Sequence, residues 1–146
     1  MKTLITIIAL AVCVQAQSAK EGKGITNWTL VATGQEQSRS YFAPETIQRG
    51  DDHIRLWTRW DLVGTTLPML PGVASARVYA TLDCEGGRSQ ALTAIFYDSE
   101  GRVIKAMEHL KNEWATETPN TIGHAIFAYF CEREATAPVS APKLKP

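Results

Sequence analysis

The sequence lacks the clustered metal ligands and nucleophile motifs that mark most enzyme active sites. Three cysteines and three histidines occur in 146 residues, and the absence of any C-x-x-C or H-x-x-x-H spacing argues against a zinc site. None of His53, His109 and His124 stands in a motif with a nucleophile and an orienting acid. We therefore expect a protein that is not an enzyme and that needs no metal or other cofactor.

An excess of charge of one sign is missing as well. Fifteen basic residues balance fifteen acidic ones, so the composition gives no electrostatic reason to expect a nucleic-acid partner. Apart from residues 4–14, the chain has no long hydrophobic run, and that run is shorter than the roughly 20 residues that cross a bilayer. No transmembrane span is therefore predicted.

The N-terminus has the pattern of a secretory signal peptide. Lys2 precedes the apolar run and small residues follow it up to Ala16, so we predict a signal peptide over residues 1–16 and export to the periplasm, the cell surface or the medium. A first transmembrane helix is the less favoured alternative. In a second alternative Cys13 is the lipidated residue of a lipoprotein signal, although Val12 is bulkier than the residue that usually precedes such a cysteine.

Two cysteines remain after cleavage, Cys84 and Cys131. An even pair in an oxidising compartment is most simply a disulfide, and we predict that these two residues form one. In the chain-entropy model, closing a loop of this span contributes about 4 kcal/mol to stability.

Alternating apolar and polar residues predict strands through most of the mature domain, residues 17–134. Strands are expected in NWTLVAT, SRSYF, HIRLWTRWD and ARVYATLD, and the last of these begins a three-stranded meander over residues 76–108. Pro44 ends the second strand because proline has no amide hydrogen to donate. The segment VGTTLPMLPG is predicted to be an irregular surface loop, and the proline-rich residues 135–146 are expected to form a disordered tail.

One helix is predicted near the C-terminus. Ile122, Ile126 and Phe130 recur at a spacing of four and form an apolar stripe, and either Thr118 or Thr121 is suited to the start of the helix. The predicted fold is therefore α+β. It is a single antiparallel β-sheet of about six strands, with a C-terminal α-helix packed on one face and tied by the disulfide.

Two short motifs have both a chemical and a structural interpretation. Asp51, Asp52 and His53 could supply metal ligands, but a polar turn before a strand is the more frequent cause of such a run. DSEG, residues 98–101, resembles part of a calcium loop but lacks the later acidic residue that closes one, so a turn is predicted there too. Asn27 begins a glycosylation sequon, which matters only where the exporting cell carries out that modification.

The candidate for ligand binding is one face of the strand HIRLWTRWD. Arg55, Trp57 and Arg59 alternate with the residues of the other face and project to the same side. Guanidinium groups beside an indole favour contact with anionic or protein ligands. In the favoured alternative Trp57 belongs to the core and the two arginines lie at its rim.

A set of tryptophans, turn motifs and cysteines occurs in order along the mature domain: Trp28, SYFAPETIQRG, Trp57, the pair Asp83-Cys84, YDSEGRVI, Trp114, Pro119 and Cys131. This ordered set, from about Trp28 to Glu132, resembles the surface-adhesin protein E family of bacteria. The resemblance implies a small antiparallel sheet of about six strands with a C-terminal helix fastened across it by the disulfide. No ligand-binding residue is carried over, because the family's binding segments have no motif that can be placed on this chain.

The resemblance also implies a function. The founding adhesin of that family is a surface lipoprotein that binds host matrix and plasma proteins and has been linked to haem. We therefore expect a non-enzymatic exported binding module whose partners are host or envelope proteins. The alternative is a structural or envelope-associated periplasmic protein that self-associates or pairs with another envelope protein, and the sequence does not predict the oligomeric state.

Overall fold

The described part of the chain forms an antiparallel sheet with one short helix on its surface. The computed structural model describes residues 24–34, 37–62, 64, 67–111 and 113–132. The predicted signal peptide with Cys13 and the predicted tail lie outside these residues.

Most of the described residues belong to strands. The elements are, in chain order, β1 (Thr29–Thr33), β2 (Arg39–Phe42), a 3-10 turn (Pro44–Thr46), β3 (Gln48–Arg49), β4 (Ile54–Asp61), β5 (Ser75–Asp83), β6 (Arg88–Tyr97), β7 (Val103–Met107), β8 (Ala115–Thr116), α1 (Ile122–Phe127) and a π-helical turn (Ala128–Glu132). The sheet has the order β1-β2-β4-β5-β6-β7, with the short β3 paired to β4 and the short β8 paired to β6. The predicted fold class and the three-stranded meander are both confirmed.

Strands β4 and β5 form the regular centre of the sheet. They pair without a bulge from Ile54 opposite Leu82 to Asp61 opposite Ser75. Cross-strand partners point to the same side of a sheet and successive residues to opposite sides. The pairing therefore sorts the side chains of both strands into one face that carries α1 and one face that does not.

Each face of the sheet has its own buried cluster. The cluster under the helix consists of Phe42, Ile54, Leu56, Leu82, Ile126, Phe127 and Phe130. The cluster on the opposite face consists of Ala43, Trp57, Tyr79 and Ile95, and Ile25 and Trp28 from the segment before β1 pack against it. The strand pattern alone predicts one buried face, so the second cluster is a correction that comes from the burial of this N-terminal segment.

The helix begins at Thr121 and not at Thr118. The Thr121 hydroxyl oxygen accepts a hydrogen bond from the backbone N–H of His124 at 3.1 Å and its hydroxyl donates to the Thr118 carbonyl at 2.7 Å. Thr121 therefore serves as the N-cap, which satisfies an amide that the first turn leaves without a partner. The predicted apolar stripe is confirmed, because Ile126 and Phe130 are buried against the sheet.

A covalent bond ties this helical segment to the sheet. Cys84, the first residue after β5, is joined to Cys131 in the π-helical turn, with their Cα atoms 5.1 Å apart, so the predicted disulfide is confirmed. An isolated helix shorter than about 12 residues is marginal in water. The six residues of α1 therefore depend on the packed cluster and on this bond for their position.

Removing the disulfide tests that dependence. We expect the variant Cys84→Ser/Cys131→Ser to lose about 4 kcal/mol of unfolding free energy, because the bond joins residues 47 positions apart in the chain and restricts the unfolded state. Chemical denaturation under oxidising conditions measures the loss. A reducing agent should bring the native protein to the stability of the variant and leave the variant unchanged, and equal stability of the two oxidised proteins would contradict the prediction.

Candidate functional site

The sheet face opposite α1 carries most of the charged strand residues. Alternation and register place on it Arg39, Arg55, Arg59, Arg77 and Arg88, together with Asp61 and Asp83. None of the strand residues on this face is a lysine or a glutamate. We call this surface the arginine face, and its excess of positive charge exists although the whole chain has a formal net charge of zero.

Arg59 is held in place by two kinds of contact. Its Nε and Nη2 atoms lie 2.9 Å and 2.8 Å from Oδ1 of Asp61, and the centre of its guanidinium lies 5.5 Å from the centroid of the Tyr41 ring. Tyr41 is the cross-strand partner of Arg59. The carboxylate and the ring together fix the direction in which the guanidinium points.

Arg77 lies directly opposite Arg59 on β5. Its guanidinium centre is 5.5 Å from the ring of Trp28 and 5.3 Å from the ring of Tyr97. Like charges directly opposite each other destabilise a sheet. The contacts with aromatic rings and the nearby Asp61 offset that repulsion, with the Arg59 guanidinium beside Tyr41 of β2 and the Arg77 guanidinium beside Tyr97 of β6.

The structure places Trp57 beneath this surface. Its side chain is 4% exposed and its ring centroid lies 5.4 Å from that of Tyr79. Of the three residues that the sequence singles out for binding, Arg55 is exposed, Arg59 is half-buried and Trp57 is in the core. A binding role for Arg55, Trp57 and Arg59 stays a prediction. Because Trp57 is buried, a ligand at this position would contact the side chains of Arg55 and Arg59.

Sequence reasoning missed the arginines that neighbouring strands contribute. Arg39 and Arg77 belong to other strands, and only the register shows that they face Asp61 and Arg59. The alternation in SARVYATLD, which puts Arg77 on the side opposite Val78, is the signal that could have found one of them.

A second polar group lies at the end of the arginine face, beside the disulfide. The Asp83 carboxylate accepts hydrogen bonds from the backbone N–H of Gly86 at 2.7 Å and from Nε of Arg88 at 2.8 Å. These two bonds, the backbone one first, hold the pKa of Asp83 below its ordinary value. A Cβ atom on Gly86 would collide with the Asp83 carboxylate, and Gly87 has a φ of 65°, so this turn requires both glycines.

Trp114 lies next to Asp83 and Arg88 and contacts both Arg88 and His53. The Arg88 guanidinium centre lies 5.0 Å from its ring centroid, and the His53 ring lies 5.3 Å from it at a tilt of 38°. His53 is therefore packed against an aromatic ring, whereas Asp51 and Asp52 are exposed in the preceding turn. Within the described residues, no group of three or more His, Cys, Asp or Glu side chains is arranged to hold a metal ion.

The remaining sequence motifs lie in a turn and in the segment before β1. Asp98 accepts hydrogen bonds from the backbone N–H groups of Glu100 and Arg102 at 2.9 Å and 2.8 Å, so DSEG is the predicted turn. Asn27 is exposed just before β1. None of the described helices has the length and apolar character needed to span a membrane.

An open groove of about 810 Å³ lies at the start of α1. Most of its lining residues are small or carry a hydroxyl group, and they come from β1, β2, the segment between them and the start of α1: Ala32, Thr33, Gly34, Ser38, Ser40, Asn120, Thr121, Ile122, His124 and Ala125. The described lining carries no lysine, arginine or carboxylate. This groove is separate from the arginine face, because α1 packs on the other side of the sheet.

Comparison with known proteins gives a consistent family assignment. A family model described as surface-adhesin protein E matches residues 28–132. The solved structure of Haemophilus influenzae protein E is similar with 18% sequence identity and a TM-score of 0.51, over 77% of this chain and 89% of that chain. At this identity the likeness to that structure shows the fold alone. No curated protein sequence matches the chain.

The hydrogen-bonded carboxylate of Asp83, at the turn between β5 and β6, predicts that the thermal stability of the fold depends on pH. Because the pKa of Asp83 is lowered on folding, its carboxylate contributes stability that is complete above its unfolded pKa of about 4. That contribution is lost as the pH falls through the lower folded pKa. We expect Asp83→Asn to lower the Tm at pH 7, and the difference from the native protein to shrink as the pH falls below about 4.

Thermal unfolding between pH 7 and pH 2 measures this effect. The matched control is Glu85→Gln, because Glu85 is an exposed carboxylate in the same turn and its replacement should leave the Tm close to that of the native protein. A Tm difference for Asp83→Asn that is the same at every pH would contradict the prediction.

Proposed function

Because the chain belongs to the surface-adhesin protein E family, we propose that it is an exported, non-enzymatic binding module that attaches to host or envelope molecules through the arginine face. The proposal rests on the uneven distribution of charged side chains over the surface. A chain with no net charge gathers five arginines and only two aspartates on one sheet face. Such a patch attracts anionic partners and speeds their association.

The ion pairs of this face leave part of its positive charge available. Asp61 pairs with Arg59 and Asp83 pairs with Arg88. Arg39 and Arg55 are exposed, and neither forms an ion pair with another described residue. These two guanidinium groups can therefore meet an anionic partner without first breaking an internal contact.

Two further features support export and a role without catalysis. The disulfide between Cys84 and Cys131 is typical of proteins that fold in an oxidising compartment, which agrees with the predicted signal peptide. The three histidines lie in separate surroundings: His53 packs against Trp114, His109 follows β7 and His124 lies on α1. A general base beside an activated nucleophile would need a closer grouping.

A charge-reversal variant tests the assignment of the face. We expect Arg39→Glu/Arg55→Glu to weaken attachment to immobilised extracellular matrix by at least about tenfold, or about 1.4 kcal/mol, because it replaces the two available cations by anions. Both residues are exposed, so the fold should be retained. Retention on matrix-coated sensors, measured at two salt concentrations, reports the change, and attachment of the native protein should fall as salt rises.

The matched control is Lys105→Glu/Lys111→Glu, which makes the same change in net charge. Both lysines are exposed and neither is a strand residue of the arginine face. If the control variant loses attachment as strongly as the arginine variant, or if neither does, the arginine face is not the binding surface.

A second candidate function is association through an edge strand. Strand β7 lies at one end of the sheet order, and Val103 and Ile104 on it are 55% and 40% exposed. An exposed apolar edge strand is a common site of strand addition by another chain. The same edge could join two copies of this protein or pair with another envelope protein.

Sedimentation measurements separate this candidate from the first. If β7 mediates self-association, the native protein should dimerise in the micromolar range and Val103→Glu/Ile104→Glu should remain monomeric, because the introduced carboxylates would repel each other across the new strand pair. Leu30→Glu on the opposite edge strand is the control and should dimerise like the native protein, since Leu30 is also exposed. A native protein that is monomeric at every concentration would exclude self-association.

A further inference from the structure

The centre of the arginine face holds two like charges in direct opposition. Arg59 and Arg77 are cross-strand partners, and rings of Tyr41, Trp28 and Tyr97 lie within 5.5 Å of their guanidinium centres. Side chains that are already held by aromatic rings lose little conformational freedom when they bind. An anion bound near both side chains would add to the contacts that offset their like charges.

Two further arginines, Arg55 and Arg39, extend this pair into a row. Arg55 lies four residues before Arg59 on β4, a distance of about 13 Å along an extended strand. Arg39 lies opposite Asp61, which is two residues beyond Arg59. The backbone positions of these four arginines therefore span about 20 Å of one surface, and we call the four residues the arginine row. A single phosphate or sulfate cannot contact a row of this length, but a chain with repeated anionic groups can.

Buried aromatic side chains lie between the arginines of the row. Trp57, between Arg55 and Arg59 on β4, and its cross-strand partner Tyr79 are 4% and 9% exposed, and Ile25 and Trp28 pack against their cluster. The exposed large apolar side chains of the described residues are Leu30, Met69, Val103 and Ile104, and these belong to the edge strands β1 and β7 or to the loop before β5. The row thus offers no open apolar pocket for the side-chain anchor that a peptide partner usually inserts.

From these observations the geometry points to a linear anionic polysaccharide as the ligand of the arginine row, with its sulfate or carboxylate groups bound by pairs of guanidinium N–H donors. This inference rests on the proposed function and specifies the partner chemistry of the same face. Arginine suits such a ligand because its planar fork binds carboxylate and sulfate oxygens through two parallel hydrogen bonds. The charge on the polysaccharide can be sulfate or uronate, and the test separates the two.

Calorimetric titration of the full chain with defined polymers tests the inference. The probes are size-fractionated dextran sulfate and polygalacturonate, with neutral dextran, polyglutamate and phosphatidylglycerol vesicles as comparisons. We expect one of the two anionic polysaccharides to bind at least about tenfold more tightly than polyglutamate, and neutral dextran not to bind. The affinity should fall as salt rises.

Three variants connect the binding to the row. Arg55→Ala and Arg39→Ala should each weaken binding several-fold, and Arg77→Lys should weaken it although the charge is kept, because lysine lacks the planar fork that binds an oxyanion through two bonds. Lys105→Ala, which removes an exposed cation outside the arginine face, should bind like the native protein. Circular dichroism and Tm of each variant show whether the fold is kept, and Arg55→Ala keeps the test decisive if Arg77→Lys is unstable.

Several results would overturn the inference. It fails if neither polysaccharide binds at low salt, if polyglutamate or vesicles bind as tightly as both polysaccharides, or if Lys105→Ala weakens binding as much as Arg55→Ala. If the matrix attachment described above depends on Arg39 and Arg55 while neither polysaccharide binds, the polysaccharide inference is wrong and the proposed function stands. If matrix attachment does not depend on these arginines, the assignment of the arginine face itself is wrong.

Discussion

The disulfide between Cys84 and Cys131 is the constraint on which the rest of the structure depends. A helix of six residues has no stability of its own in water, so its place on the sheet comes from Phe127, Phe130 and the covalent bond beside them. Phe130 packs edge-on against Phe42 of β2, with ring centroids 5.0 Å apart. By fixing the helix on one side, these contacts leave the arginines on the other side, where the segment with Ile25 and Trp28 packs beside them.

Charged and aromatic side chains alternate on the arginine face. The arginines lie beside a cluster that contains Trp57, Tyr79 and Ile95, and Trp28 and Tyr97 pack against that cluster. Aromatic rings in turn fix the guanidinium groups of Arg59 and Arg77. Core packing and surface charge are therefore not separate on this face, and a substitution of Arg77 should affect both.

Local patterns in the sequence were sufficient to predict the three strands of the meander, the residues on each side of β4 and the disulfide. They were insufficient to predict features that depend on packing between distant segments. Thr118 and Thr121 are equally good caps by sequence, and the choice depends on where the apolar stripe meets the sheet. The burial of Trp57 depends on Ile25 and Trp28, whose packing against the sheet cannot be predicted from the alternation of residues in β4. The opposition of Arg59 and Arg77 depends on the pairing register of β4 and β5, which neither strand specifies alone.

The features that carry the family resemblance lie in two places in this structure. The cysteine pair, Asp83 and Trp114 lie at the end of the sheet where the disulfide attaches the helical segment, whereas Trp28 and Trp57 lie among the arginines of the opposite face. The disulfide ties the helical segment to the end of β5, and the Asp83 carboxylate holds the turn between β5 and β6. The arginines themselves differ in how far the fold constrains them: Arg39 and Arg55 are exposed, whereas Arg59 and Arg77 are half-buried and contact aromatic rings. A substitution of Arg39 or Arg55 therefore changes the charge of the arginine face without removing a buried contact, whereas a substitution of Arg77 also changes the packing beside it.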